Sequence, residues 1–391
     1  MLMAGTEPLA AAAKVPPFAI RTLFSQPCAD IGVGMTCRSL LVGARAAGWR
    51  ADLFTVRIEG DAPGLAAPGG LMPGPLARLP FPLLRPFVTP RLSRAYLAAL
   101  GDGDIAYLWP SVPLAVYEAV AARGLPIVAE AINTRMAVAR PILDAAYDRL
   151  GLAPAHGITA ARIADQDARH ALCRAIFAPS PATEAALAGT DLAGLAVPAS
   201  YGTWVPRTLP ERAAAPDGAP VTVLFLGAVC VRKGAHLLLE AWRQAPRNAR
   251  LRLVGAVEPA IRARFADVLD SPSVSAPGFR RDVAREYAAA DVFVLPSLEE
   301  GDPIATYEAA AHGLPVIASP AGAGRIGAET GAICTIDLSD PGALRERIAA
   351  FAGSQEMRRH WGARARAAVL GYDWSVVAPR RFDRLAEFLG R

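Results

Sequence analysis

Lysine is nearly missing from this chain: of its 41 basic residues, only Lys14 and Lys233 are lysine. The bias toward arginine makes Lys233 conspicuous, because a compact ammonium is kept where a guanidinium is otherwise the rule. It also weakens what the net charge of +5 would imply about an anionic partner, and no nucleic-acid partner is expected. Cysteine is scarce as well. The five thiols Cys28, Cys37, Cys173, Cys230 and Cys334 are odd in number and widely spaced. Without a C-x-x-C pair they suggest neither a zinc nor a redox site and are expected reduced and mostly buried. No run of about 18 apolar residues is free of charge or proline, which argues against a spanning helix. No G-x-G-x-x-G follows any strand-like run, so a nicotinamide oxidoreductase lacks its fingerprint. There is no internal repeat. The opening MLMAGTEPLAAAAKVPP has no basic n-region, so it reads as a disordered leader over residues 1–14 rather than an export signal. That speaks against a periplasmic binding protein and for a cytoplasmic one.

What is present is a globular composition, with 53% hydrophobic and 20% charged residues over 391 positions, long enough for two cores. Short aliphatic runs alternate with helix-like segments, the βαβ pattern of parallel sheets. The spacing predicts strands at 19–25, 51–56, 104–109, 126–131 and 175–180, then at 221–227, 250–255, 292–297 and 315–319. Between the two groups, Pro198 to Pro220 is rich in Pro, Gly and Ala and reads as a linker. The stretch Ala62 to Pro90, crowded with Pro, Gly, Leu and Arg, is expected as a loop or irregular helix.

Sheets of this kind place ligands beyond the carboxyl ends of their strands, so the loops there carry the chemistry. After VTVLFLG comes AVCVRKG and then a helix. Gly227 and Gly234 allow tight turns, and Arg232 and Lys233 stand where a helix N-terminus already favours an anion; a basic turn capping a helix is the plainer alternative. After DVFVLPS comes LEEGDPIATYEAAAHGLPVIAS, with Glu300 in the turn and Glu308 in the following helix. An ionised carboxylate accepts two hydroxyl hydrogen bonds, which suits a sugar diol, and the backbone of Asp302 to Thr306 offers amides to a phosphate. Alone, such an acidic loop would serve only to complement a helix dipole.

Together these segments resemble the retaining GT-B glycosyltransferases of the family-4 type, over nearly the whole second half. The E-x7-E element matches Glu300 and Glu308, and its flanks are present as Pro296, Ser297, Ala309, Gly313 and Pro315 to Ser319. The resemblance implies an α/β fold of two Rossmann-like parallel-sheet domains facing a cleft. An acceptor domain would cover 15–199 and a donor domain 200–373, with an amphipathic segment, 374–391, crossing back onto the first. It implies that Glu300 contacts the donor sugar, Glu308 the ribose, and Lys233, aided by Arg232, the diphosphate. Gly227, Gly255, Phe279, Arg280, Gly301, Asp302, Pro303, Ile304, Ala305 and Thr306 complete the expected donor site. The expected reaction moves a hexosyl group from a nucleotide sugar, UDP- or GDP-linked, with retention of configuration and neither metal nor other cofactor. The acceptor would be a glycan, a lipid-linked or a small molecule, in polysaccharide or glycolipid synthesis.

This chain departs from the pattern at three places. Gly227 is followed by Ala228 where the family commonly has Gly-Arg, Arg232 being the candidate substitute. Asp302 and Pro303 replace a Phe-Gly pair. After the fourth strand, where the family often carries a His, PIVAEAINTRM supplies Glu130, Asn133, Thr134 and Arg135. In the first half, Gly32 and Gly34 open a helix where a glycine turn could meet donor phosphate or acceptor, and Asn133 is the third candidate on that side. Ser180 and Thr183 read as helix caps, the Asp102-x-Asp104 pair as structural, and His312 as a helix-end residue. Arg78, Arg85, Arg91 and Arg94, set among Leu, Phe and Pro, read as a solvated loop, with a peripheral contact at the inner membrane face as the alternative. A sugar-nucleotide epimerase of similar fold, or a non-catalytic nucleotide-sugar binding protein, are the rival readings.

Overall fold

The computed structural model describes residues 18–59, 65, 80–209 and 219–391. The expected leader, Arg78 and residues 210–218 of the linker lie outside the described residues, as does the proline-rich stretch before residue 80 except Leu65. Aliphatic runs form two six-stranded sheets, parallel throughout. The first contains β1 (Ile20–Phe24), β2 (Ala51–Thr55), β3 (Ile105–Leu108), β4 (Ile127–Glu130), β5 (Ala175–Ala178) and β6 (Ala196–Pro198), in the order β2-β1-β3-β4-β5-β6. The second contains β7 (Val221–Leu226), β8 (Ala249–Val254), β9 (Val274–Gly278), β10 (Val292–Leu295), β11 (Val316–Ala318) and β12 (Cys334–Thr335), in the order β12-β11-β10-β7-β8-β9. Every residue of β3, β4, β5, β10 and β11 is buried, because helices cover both faces of a parallel sheet. The β7–β8 pair is in register from Val221 opposite Ala249 to Leu226 opposite Val254.

All nine expected strands are present. The three additional ones, β6, β9 and β12, sit at sheet edges, where a short segment suffices. Pro277 is accommodated in β9 because an edge strand leaves one side of its backbone unpaired. In the described part of the proline-rich stretch the helical alternative holds: residues 81–90 open the helix Phe81–Ala99, with Pro80 as its N-cap and Pro86 and Pro90 inside it. Pro82, Pro86 and Pro90 recur every four residues on the exposed side, while Leu84, Val88, Leu92 and Tyr96 recur at the same interval on the buried side. The prolines therefore interrupt only solvent-side hydrogen bonds, and the apolar stripe holds the helix.

The chain crosses between the halves twice, and the crossings bind each other. The Thr203 N–H donates to the Tyr372 carbonyl at 3.1 Å, and the Trp374 N–H to the Thr203 carbonyl at 3.2 Å. After the second crossing, the helix Trp374–Phe388 packs on Gly32–Ala46 of the first half. Phe382 enters a ring cluster with Trp49, Tyr107 and Phe177. Arg381, 1% exposed, lies 4.0 Å over the Phe177 ring and pairs with Glu130, which also accepts from Tyr107 and Tyr201.

Candidate functional site

In the second sheet β7 lies beside β10, although the chain between them runs outward through β8 and β9. The strand order reverses at this pair, and a crevice opens at its carboxyl end. The loops after β7 and β10 flank it, so Arg232 and Lys233 come to face Glu299 and Glu300. Close backbone contact explains the glycines. A Cβ on Gly255 would meet the Gly227 carbonyl oxygen at 1.9 Å, and one on Gly234 the Pro296 carbonyl oxygen at 1.8 Å. Their φ angles of 145° and 68° are open to glycine for the same reason. Gly227 in turn leaves room for the Lys233 stem, whose Cε would stand 3.1 Å from an added Cβ.

The polar groups interlock. Glu300, 7% exposed, accepts from Lys233 Nζ at 2.5 Å, Arg232 Nη1 at 2.9 Å and Ser297 Oγ at 3.2 Å. Burial pushes its carboxyl up, but Lys233 and Arg232 outweigh it and hold it down at about 2. It is an anion at every physiological pH. The two cations keep free N–H groups beyond these bonds, so they can meet a second anion without releasing Glu300.

Glu299 was not singled out by the sequence, where it is one of two adjacent acids. It is 3% exposed and faces the first half, accepting from the Thr134 N–H at 2.8 Å and Asn133 Nδ2 at 3.0 Å. Burial raises its carboxyl, against the opposing pull of Arg232. Thr134 Oγ1 also donates to the Glu300 carbonyl at 3.2 Å. Gly301 closes this junction, since a Cβ there would lie 2.1 Å from the Ile132 carbonyl oxygen. Asn133 is thus brought to the crevice together with Arg232, and both line a cleft cavity of about 630 Å³ between the halves.

Asp302 turns into the protein interior. It accepts from the N–H groups of Tyr201 at 2.7 Å and Arg325 at 2.9 Å and from the Tyr307 hydroxyl, and burial lifts its carboxyl to about 6. The carboxylate that stands where the resemblance has Phe is therefore tied up in protein contacts and leaves only its backbone to a ligand. Pro303 caps the helix Ile304–Ala311 without a side-chain hydrogen bond, so the first-turn amides at Ile304 and Ala305 keep the anion-favouring character of an open N-terminus. Thr306 points inward, donating to the Gly322 carbonyl at 2.6 Å. On the same helix Glu308 accepts from the Tyr287 hydroxyl at 2.8 Å, and burial raises its carboxyl to about 7. Tyr287 stacks on His312 with ring centroids 5.0 Å apart, and His312 bonds the Glu308 carbonyl at the helix end. Tyr287 is a further residue the sequence did not mark.

Phe279 is 56% exposed and Arg280 is exposed beside it, just past the end of β9. Gly32 and Gly34 open the helix Gly32–Ala46, whose N-cap Ile31 makes no side-chain bond. A Cβ at Gly34 would meet the Ala29 nitrogen at 2.6 Å. Ser180 and Thr183 form a reciprocal capping box. Asp104 is structural, accepting from Ala19, Gly101 and Arg21. Among the described residues no group of three His, Cys, Asp or Glu could hold a metal ion, and no helix is long and apolar enough to cross a membrane.

Residues 220–353, which contain both loops of the crevice, match the family model described as Glycosyl transferases group 1. The chain is 30% identical over 210 residues to the D-inositol 3-phosphate glycosyltransferase of Xylanimonas cellulosilytica, covering 51% of this chain and 50% of that one. It thus spans about half the length of this curated relative. Sucrose-phosphate synthase from Thermosynechococcus elongatus superposes with a TM-score of 0.70 at 21% identity, covering 95% of this chain and 99% of the other. Anabaena HepE in complex with UDP and glucose gives 0.63 at 15% identity, covering 95% and 99%. The architecture is the GT-B fold, two parallel-sheet domains, and the matched residues 220–353 supply the Arg232–Lys233–Glu300 network.

Proposed function

We propose that the protein transfers a hexosyl group from a nucleotide-sugar donor to an acceptor hydroxyl, with retention of configuration and without a metal. The observation that carries this reading is the network of Arg232, Lys233 and Glu300 at the β7–β10 switch point. In it, two cations are held beside a helix N-terminus with open amides. The donor diphosphate binds there, and the same groups stabilise the charge that develops as the glycosidic bond breaks. Glu300 orients the sugar hydroxyls, Glu308 accepts the ribose diol, and Phe279 and Arg280 border the base. The departing phosphate takes the acceptor proton on the same face, so no separate nucleophile is required. A UDP- or GDP-linked donor and a cytoplasmic location belong to this reading. The Glu300 and Glu308 pair disfavours an epimerase, and turnover of a nucleotide sugar separates an enzyme from a binding protein.

A thermal-shift panel of UDP-, GDP- and ADP-sugars tests it, because a ligand of the native state raises the apparent Tm. One nucleotide sugar should stabilise the wild type and do so much less in Lys233→Ala and Glu308→Ala. A panel without any stabilising member would overturn the reading. The anomeric configuration of a transfer product, read by NMR, tests retention.

A further inference from the structure

A second cavity, of about 520 Å³, lies wholly within the first half at the carboxyl ends of β3 and β4. It shares Pro110, Ser111, Glu130, Met136, Arg162 and Gln166 with the cleft cavity, so the two form one continuous trough that ends at Arg232 and Glu299. Its charge is not balanced. Of the two carboxylates in its wall, Glu130 is occupied by Arg381, Tyr107 and Tyr201, and Asp165 by Arg169. Arg85 and Arg162 also line the wall and have no carboxylate partner among the described residues; Arg162 spends only one N–H, on the Gly157 carbonyl at 2.6 Å.

Two further observations single out the same place. His170 lines the cavity at 7% exposure, and its Nδ1 is buried without a hydrogen-bond partner. An unsatisfied buried ring nitrogen is costly unless a ligand or water completes it. Ser111, in the loop after β3, is the one non-glycine residue with positive φ among the described residues, at 74°. Backbone held in that region concentrates at binding sites.

We propose that this cavity binds a phosphate ester group, held by the guanidinium forks of Arg85 and Arg162. Guanidinium is suited to this because its planar set of N–H donors matches the spacing of phosphate oxygens. The inference rests on the glycosyl-transfer reading for its consequence: the acceptor is a phosphorylated molecule, anchored by its phosphate at the far end of the trough with its hydroxyl directed toward Arg232 and Glu300. The donor diphosphate sits on the opposite half, so the two anion sites are separate.

The test uses the full chain saturated with UDP or GDP, whichever raises its Tm, to fill the donor site, and follows sn-glycerol 3-phosphate by ³¹P line broadening, with vesicles containing phosphatidic acid as a second probe. Saturable binding is expected for one of them, weakened at least tenfold in the Arg85→Gln, Arg162→Gln double variant, while the nucleotide-induced rise in Tm is unchanged. Both arginines are exposed, and the retained nucleotide response reports that the variant is folded. Which probe binds tells a soluble phosphate ester from a lipid headgroup. Binding of neither, or binding indifferent to the two substitutions, overturns the proposal. If no nucleotide gives a shift, the donor reading fails, and the phosphate measurement on the nucleotide-free protein still decides whether Arg85 and Arg162 form an anion site.

Discussion

At the scale of single residues, the crevice separates two carboxylates by environment. Glu300 is anchored by two cations and stays ionised, whereas Glu308 has a tyrosine hydroxyl as its side-chain partner and titrates near 7. Lys233→Ala removes the ammonium nearest Glu300 and leaves Arg232 to satisfy the buried charge. Transfer should fall by about 100-fold or more in a kcat/KM assay, with far-UV circular dichroism unchanged. Glu308 gives a pH dependence of known sign. Its carboxyl is raised in the folded chain, so from about pH 4.5 to 7 the native state binds more protons than the unfolded state and stability falls as pH rises. Glu308→Gln should flatten that slope and melt above the wild type at pH 8. Affinity for the nucleotide sugar that stabilises the chain, whose diphosphate does not titrate in this range, should rise about tenfold from pH 6 to 8 in the wild type, following the ionised fraction. Glu308→Gln should show a flat profile.

At the scale of elements, the functional unit is a pair of loops rather than a helix or strand. The loop after β10 touches the loop after β7 on one side and the loop after β4 on the other, and glycine occurs where backbone meets backbone. Gly301→Ala would drive a Cβ to within 2.1 Å of the Ile132 carbonyl oxygen, and neither partner is a flexible side chain. The expected outcome is a loosened junction, seen as faster proteolysis between the halves and a higher KM. Glu299→Gln presents an amide NH2 to a wall of donors, so it loses one of the bonds to Asn133 and Thr134. Small-angle scattering should then report a larger radius of gyration for the variant, while retained thermal stabilisation by the donor would show that the crevice itself is intact.

At the scale of the whole molecule, the C-terminal helix fastens the chain. Arg381 reaches from it to Glu130 at the end of β4, with both side chains at most 1% exposed. Removing one member of such a pair leaves a buried charge poorly matched. Arg381→Met should therefore lower the unfolding free energy by about 3–5 kcal/mol in urea melts. Adding Glu130→Met should recover part of that loss, because the unpaired carboxylate is gone. A loss of the same size in the double variant would assign the effect to packing against Phe177 instead.

Much of this was legible in the sequence because it is local. Nine strands, the capping box at Ser180 and Thr183, the glycine turns and the E-x7-E spacing all follow from residues within a few positions of one another, where periodicity and backbone sterics act directly. The helix Phe81–Ala99 was obscured because proline punctuation dominates a linear reading, and only packing reveals that its prolines share the outer face. Glu299, Tyr287, the inward turn of Asp302 and the paired arginines of the second cavity were hidden for a different reason. Each depends on which distant segment lies opposite, and burial, hydrogen-bond satisfaction and charge balance come into being only when the two sheets and their loops meet in space.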